Sequence, residues 1–213
     1  MEISANTVKE LRERTGAGMM DCKKALLEAK GNVDEAIEYL RKKGLSAAAK
    51  KAGRATSEGV IGSYIHSNGK VAVMVEVNCE TDFVARNENF QNFVKDIAMH
   101  IAALSPVSVG PEDMPAEYIA KEREIALAQM KEDPKMANKP QAVLDKIIEG
   151  KVAKIYEEQC LLNQKFVKNP DQTIAQYVSQ TVATIGENIS IPRFTRYVLG
   201  ETQKKAADAQ DMN

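Results

Sequence analysis

The chain has 213 residues, of which 44% are hydrophobic, 28% charged and 5% aromatic, with no tryptophan. At about 150 residues per domain this predicts one medium domain and a small one, in a composition that excludes disordered, collagen-like and disulfide-scaffold classes. The formal charge of −1 excludes a generally basic nucleic-acid binder, and no apolar run approaches the roughly 20 residues that span a bilayer. Met1-Glu2-Ile3-Ser4 opens no signal peptide, so a reducing, cytoplasmic compartment is the expectation.

Residues 1–44 are predicted to form a small three-helix domain. Ser4 can cap the first helix, which carries Val8 and Leu11. Gly16 and Gly18 interrupt the chain before a second helix over about 19–29, where Met19, Cys22, Leu26 and Ala29 share a face. Gly31 suits a left-handed terminus. Asn32 with Glu35 then resembles a capping box ahead of Val33, Ala36, Ile37 and Leu40, and Gly44 is expected to stop that helix.

A small, basic linker is expected over 45–58. From Arg41 to Arg54 the chain carries Arg41, Lys42, Lys43, Lys50, Lys51 and Arg54 with no acidic residue. Such a run can steer a charged partner or simply solvate a helix face.

The core is expected over 59–200, where the period first changes to two. Asn68-Gly69 is a strong hairpin signal between Val60–His66 and the alternating Val71, Val73, Val75 and Val77. Cys79 continues the valine phase and is therefore inward-facing. After Thr81 the helical period returns, with Phe90, Val94, Ile97, Ile101 and Leu104 in one stripe.

Pro106, Pro111 and Pro115 forbid regular structure for ten residues. A helical hairpin is predicted over about 116–159: a polar helix, a turn with Pro134 and Pro140, and a helix with Leu144, Ile148, Val152 and Ile155 on one side. Gln164–Val167 reads as extended. Ile174, Val178, Val182 and Ile185 mark another helix, ended by Gly186. Ile189–Leu199 is β-rich, with Pro192 placing it at an edge or a bulge. The polar tail, 201–213, is expected to be disordered. The sum is an α+β fold with helices around about three antiparallel strands.

Catalytic chemistry finds little support. Three cysteines, no C-x-x-C, and no ligand at metal spacing from His66 or His100 leave no metal site. Cys79 with His66 or His100 would be the only hydrolase-like set, and Cys79 fails on strand phase. Gly62 to Gly69-Lys70 has the wrong spacing for a phosphate-binding loop, and Val71 replaces its hydroxyl. Gly16-Ala17-Gly18 lacks the preceding strand that a dinucleotide turn requires. No nucleotide site, no cofactor and no enzyme activity are therefore expected.

Thr81-Asp82-Phe83-Val84, between an alternating strand and a helix, is the unusual segment. Thr81 or Asp82 can cap the helix, which places Phe83 in its first turn. From pattern alone Phe83 is either a core residue under the sheet or an exposed aromatic beside a carboxylate, shaped to enter another protein.

Leu11-Arg12-Glu13-Arg14-Thr15-Gly16-Ala17-Gly18-Met19-Met20-Asp21-Cys22-Lys23-Lys24-Ala25-Leu26 resembles a signature of the bacterial elongation factor Ts family. Glu76-Val77-Asn78-Cys79-Glu80-Thr81-Asp82-Phe83-Val84-Ala85-Arg86-Asn87 is similar to its second signature. Ala98-Met99-His100-Ile101-Ala102-Ala103 and Ile185-Gly186-Glu187-Asn188-Ile189 also look like family segments.

The resemblance implies an amino-terminal domain like the ubiquitin-associated fold, and guanine nucleotide exchange on elongation factor Tu. It makes Thr81, Asp82, Phe83 and Val84 the segment that dislodges the partner's magnesium ion. Met20 and Lys23, with His100, Ile185, Gly186, Glu187 and Asn188, would be further partner or inter-subdomain contacts. Longer members have two related core halves, whereas this chain holds one, so a homodimer is expected to supply the other, through the sheet edge near Ile189–Leu199. The rival expectation is an RNA- or ribosome-associated protein that uses the basic 41–54 run.

Overall fold

A computed structural model describes residues 3–132 and 139–201. Their elements, in chain order, are α1 (Ala5–Thr15), α2 (Met19–Glu28), α3 (Val33–Lys51), β1 (Glu58–Ile65), β2 (Val71–Cys79), α4 (Asp82–Ala85), α5 (Glu88–Leu104), α6 (Ala116–Glu132), α7 (Gln141–Gln159), β3 (Lys165–Phe166), β4 (Asn169–Thr173), α8 (Ile174–Ile185) and β5 (Ile189–Val198). Pro134 and the tail beyond Glu201 lie outside the described residues. The fold is α+β, with one antiparallel sheet in the order β1-β2-β5 and a separate β3-β4 pair. The chain divides into two compact units. One is Met1–Tyr64, Met74–Ala98 and Ala175–Pro192; the other is Ile65–Val73, Met99–Ile174 and Arg193–Asn213.

In the first unit the Ser4 hydroxyl accepts the Thr7 N–H at 3.1 Å and starts α1. Gly16, at φ +66°, ends it. Asn32 Oδ1 accepts from Asp34 and Glu35, and Asn32 Nδ2 donates to Glu35 Oε1 at 3.0 Å, so the expected pairing of 32 with 35 forms. Val8, Leu11, Cys22, Ala25, Leu26, Ala29 and Ala36 make a common core for α1, α2 and α3.

Two expectations fail here. Met19 is 44% exposed rather than on the core stripe. As the first residue of α2 its side chain tilts back past the helix end, where no turn lies beneath it. Gly44 does not stop α3, which continues to Lys51. A Cβ there would sit 3.8 Å from Ala183 Cβ and 3.9 Å from the Ser179 carbonyl, so the glycine keeps α3 slim where it lies against α8. The alanine-rich residues that follow sustain the helix.

The alternation along β2 is as the sequence predicts: Val73, Val75, Val77 and Cys79 are buried and Met74 is exposed. Phe90, Phe93, Val94, Ile97, Ala98 and Ile101 form the buried stripe of α5, while Leu104, its last residue, is 43% exposed. Within the first unit, Gly62 of β1 faces Val94 so closely that a Cβ would overlap Val94 Cγ1. The Phe93 ring stands 5.1 Å from that of Tyr177, whose hydroxyl donates to Asp96 Oδ2 at 3.0 Å.

In the second unit, α6 and α7 share a core of Met130, Ile148 and Val152, flanked by Ile119, Leu127, Leu144, Ile147 and Tyr156. His100 is fully buried. Its Nδ1 accepts the Val167 N–H at 3.2 Å, so Nε2 carries the proton and donates to Gln164 Oε1 at 3.0 Å. Burial lowers its pKa, and the Gln164 bond partly opposes that shift. β5 is an edge strand, as Pro192 predicts, and its alternation slips where Pro192 and Arg193 are both exposed.

Candidate functional site: a braced corner and an exposed phenylalanine

β2 delivers its chain at Cys79, and the backbone turns at once into the single helical turn α4. Thr81 is extended (φ −132°, ψ 153°), and its hydroxyl accepts the Val84 N–H at 3.4 Å as the helix cap. Ala85 points inward and is buried, and Val84 is half-buried. One helical turn cannot bury all its side chains on one side, and Phe83 is the one that leaves, 82% exposed. The inward-facing alternative is thus excluded for Phe83. Asp82 pairs with Arg86 at 3.0 Å, a surface contact worth little to stability.

Residues distant in sequence secure the corner. Glu187 Oε2 accepts the N–H groups of Glu80 and Thr81 at 3.1 and 3.0 Å, and Oε1 accepts the Thr81 hydroxyl at 2.7 Å. In return, Glu80 Oε1 accepts the Asn188 N–H at 2.6 Å, while Arg54 approaches the same oxygen at 3.4 Å. Asn188 is buried, and its Nδ2 donates to the Arg54 carbonyl at 2.9 Å. The Asn188 N–H, and then Arg54 and Lys51, hold the Glu80 carboxyl below the ordinary carboxylate range, against a smaller desolvation. Gly186, at φ +92°, ends α8 and swings the chain toward these contacts, and the preceding Ile185 is half-buried.

Cys79 donates to the Thr81 carbonyl at 3.2 Å. Burial, reinforced by the Glu187 carboxylate, pushes its thiol pKa up, which disfavours the thiolate form. Among the described residues no group of three or more His, Cys, Asp or Glu gathers as a metal site, and no helix is long and apolar enough to cross a membrane.

The other predicted site residues are dispersed. Met20, 78% exposed, and Lys23 lie on the outer face of α2, which Leu27 extends at 49% exposure. His100 is enclosed in the second unit. The basic run lies largely along α3 and is partly neutralised: Lys42 pairs with Glu38 at 2.7 Å, Lys43 with Asp21, and Arg54 with Glu80. Sequence reasoning missed Glu80 and Arg54. The available signal for Glu80 was its place just before the cap, where a carboxylate can reach a neighbouring segment's N–H groups.

The hydrogen-bonded corner holds an aromatic ring in solvent, and the three-helix bundle of the same unit exposes Met20. A family model described as elongation factor Ts matches residues 1–201. The chain is 58% identical over 209 residues to elongation factor Ts of Geobacter sulfurreducens and to that of Geotalea daltonii, covering 98% of this chain and 95% of each relative. It is also 58% identical over 199 residues to elongation factor Ts of Solidesulfovibrio magneticus, covering 93% of this chain and 98% of that protein. The chain belongs to the elongation factor Ts family and is thereby a translation elongation factor.

Proposed function

We propose that this chain is the guanine nucleotide exchange factor for elongation factor Tu in a bacterial-type cytoplasm, acting by docking and without bond chemistry of its own. The carrying observation is Phe83, an aromatic ring 82% exposed on a turn whose Thr81 and Val84 N–H groups are both hydrogen-bonded. Family membership supports the choice of partner.

In this mechanism Phe83 enters between partner helices, with Asp82 approaching the partner's magnesium site and Thr81 and Val84 completing the wedge. A magnesium ion held by oxygen ligands clamps GDP. A factor that prefers the metal-depleted state weakens GDP binding by the same factor by which GDP weakens its own binding. Burying one phenylalanine is worth about 1.5–3 kcal/mol, so the ring drives only part of that change. The 1–44 helices, through Met20 and Lys23, and the 59–200 core supply further interface.

Stopped-flow release of a fluorescent GDP from elongation factor Tu tests this. Acceleration by the chain at sub-stoichiometric amounts is expected, and release at the spontaneous rate would refute it. The RNA-binding alternative loses ground because part of the 41–54 run is already paired with carboxylates of the same chain.

A homodimer completing the single core half belongs to the same proposal. β5 ends the β1-β2-β5 order among the described residues, and in the second unit Ile65, Tyr197 and Leu199 are 69%, 65% and 76% exposed. Light scattering at micromolar concentration should give twice the 23.4 kDa chain mass, and a monomeric mass would count against it.

A further inference from the structure

Three donors converge on the Glu187 carboxylate, and two of them are backbone N–H groups at the root of the Phe83 turn, 106 and 107 residues away in sequence. The third is the Thr81 hydroxyl. A hydroxyl has one proton and two lone pairs. Because Thr81 Oγ1 gives its proton to Glu187 at 2.7 Å, its lone pairs remain for the Val84 N–H at 3.4 Å. Glu187 therefore takes the Thr81 proton while the same oxygen caps α4, which ties the cap residue to the far segment. It also satisfies two N–H groups that a bend between a strand and a helix leaves without ladder partners.

We propose that Glu187 is a positioning residue for nucleotide exchange. It orders the Thr81–Val84 turn in advance, so that Phe83 meets the partner with its backbone already fixed. The assignment rests on the exchange function proposed above. A turn that sampled several conformations would have to be ordered on docking, and only the competent fraction would bind productively.

The test is a double-mutant cycle on GDP release from elongation factor Tu, with the maximal rate and the half-saturating concentration measured separately. Glu187→Ala should lower exchange efficiency, the maximal rate divided by the half-saturating concentration, by roughly tenfold or more, chiefly by raising the half-saturating concentration. Glu187→Gln should stay within about threefold of wild type, because the amide oxygen can still accept both backbone N–H groups. Adding Glu187→Ala to Phe83→Ala should change that efficiency by less than about twofold relative to Phe83→Ala alone. Should Glu187→Ala not fold, Thr81→Val closes the same cycle, since it removes the hydroxyl relay while leaving the carboxylate.

Fully additive losses would overturn the proposal, as would a wild-type efficiency for Glu187→Ala. Loss with Phe83→Ala but none with Glu187→Ala would remove the positioning role and leave the exchange function standing. A wild-type rate for Phe83→Ala would instead strike at the exchange mechanism itself.

Discussion

Glu80 and Asn188 join the two segments that flank the corner, with Glu80 Oε1 accepting the Asn188 N–H at 2.6 Å. This bond, aided by Arg54, keeps the carboxyl ionised below its usual range. A depressed folded pKa stabilises the fold above the unfolded value, about 4.3 for Glu, and that contribution is lost as pH falls through the folded value. Thermal unfolding should therefore show the melting temperature of the wild type falling more steeply between about pH 5 and pH 3 than that of Glu80→Gln, which has no charge to lose. Parallel slopes would contradict the charge-assisted role of Glu80.

Gly62→Ala should destabilise the chain by about 1–3 kcal/mol in denaturant unfolding, because its Cβ would overlap Val94 Cγ1. Val94→Ala should recover part of that loss when combined with it. Failure of the second change to help would mean that the helix had moved away from the strand instead.

The sheet and the cap were legible because their signals are local. Alternating valines define a face of β2 without reference to anything else, and Thr81 ahead of a helical stripe defines a cap. Phe83 was not, because one residue in a single helical turn has no periodicity to assign it inward or outward. Gly44 misled for a related reason: glycine marks a stop when only the chain is considered, but here it answers to α8, far along the sequence. Gln164–Val167 was legible as extended and contains β3, but its partner β4 escaped because Asn169-Pro170-Asp171 carries turn-type residues. The contribution of Glu187 depends on a contact spanning more than one hundred residues, which no short pattern encodes.

Cys22, Cys79 and Cys160 are all fully buried, and burial pushes the Cys79 and Cys160 thiols up. A thiol reagent at neutral pH should therefore leave the native chain unmodified and label it only on unfolding. Cys79→Ala should lower stability by about 1–2 kcal/mol through lost packing while keeping exchange. Rapid labelling of Cys79 with loss of exchange would revive a thiol mechanism.

Salt titration of RNA binding separates the docking and nucleic-acid accounts. Since Lys42, Lys43 and Arg54 already have carboxylate partners, weak binding with a shallow salt slope is expected. A steep slope with tight binding at physiological salt would favour the basic run as a nucleic-acid surface.

The most direct measurement compares Phe83→Ala with wild type in GDP release from elongation factor Tu, alongside thermal unfolding of both proteins. An exposed side chain leaves no cavity, so stability should change by no more than about 0.5 kcal/mol. Loss of its burial against the partner should slow stimulated release roughly 10- to 100-fold. Release at the wild-type rate by the folded variant would contradict the account.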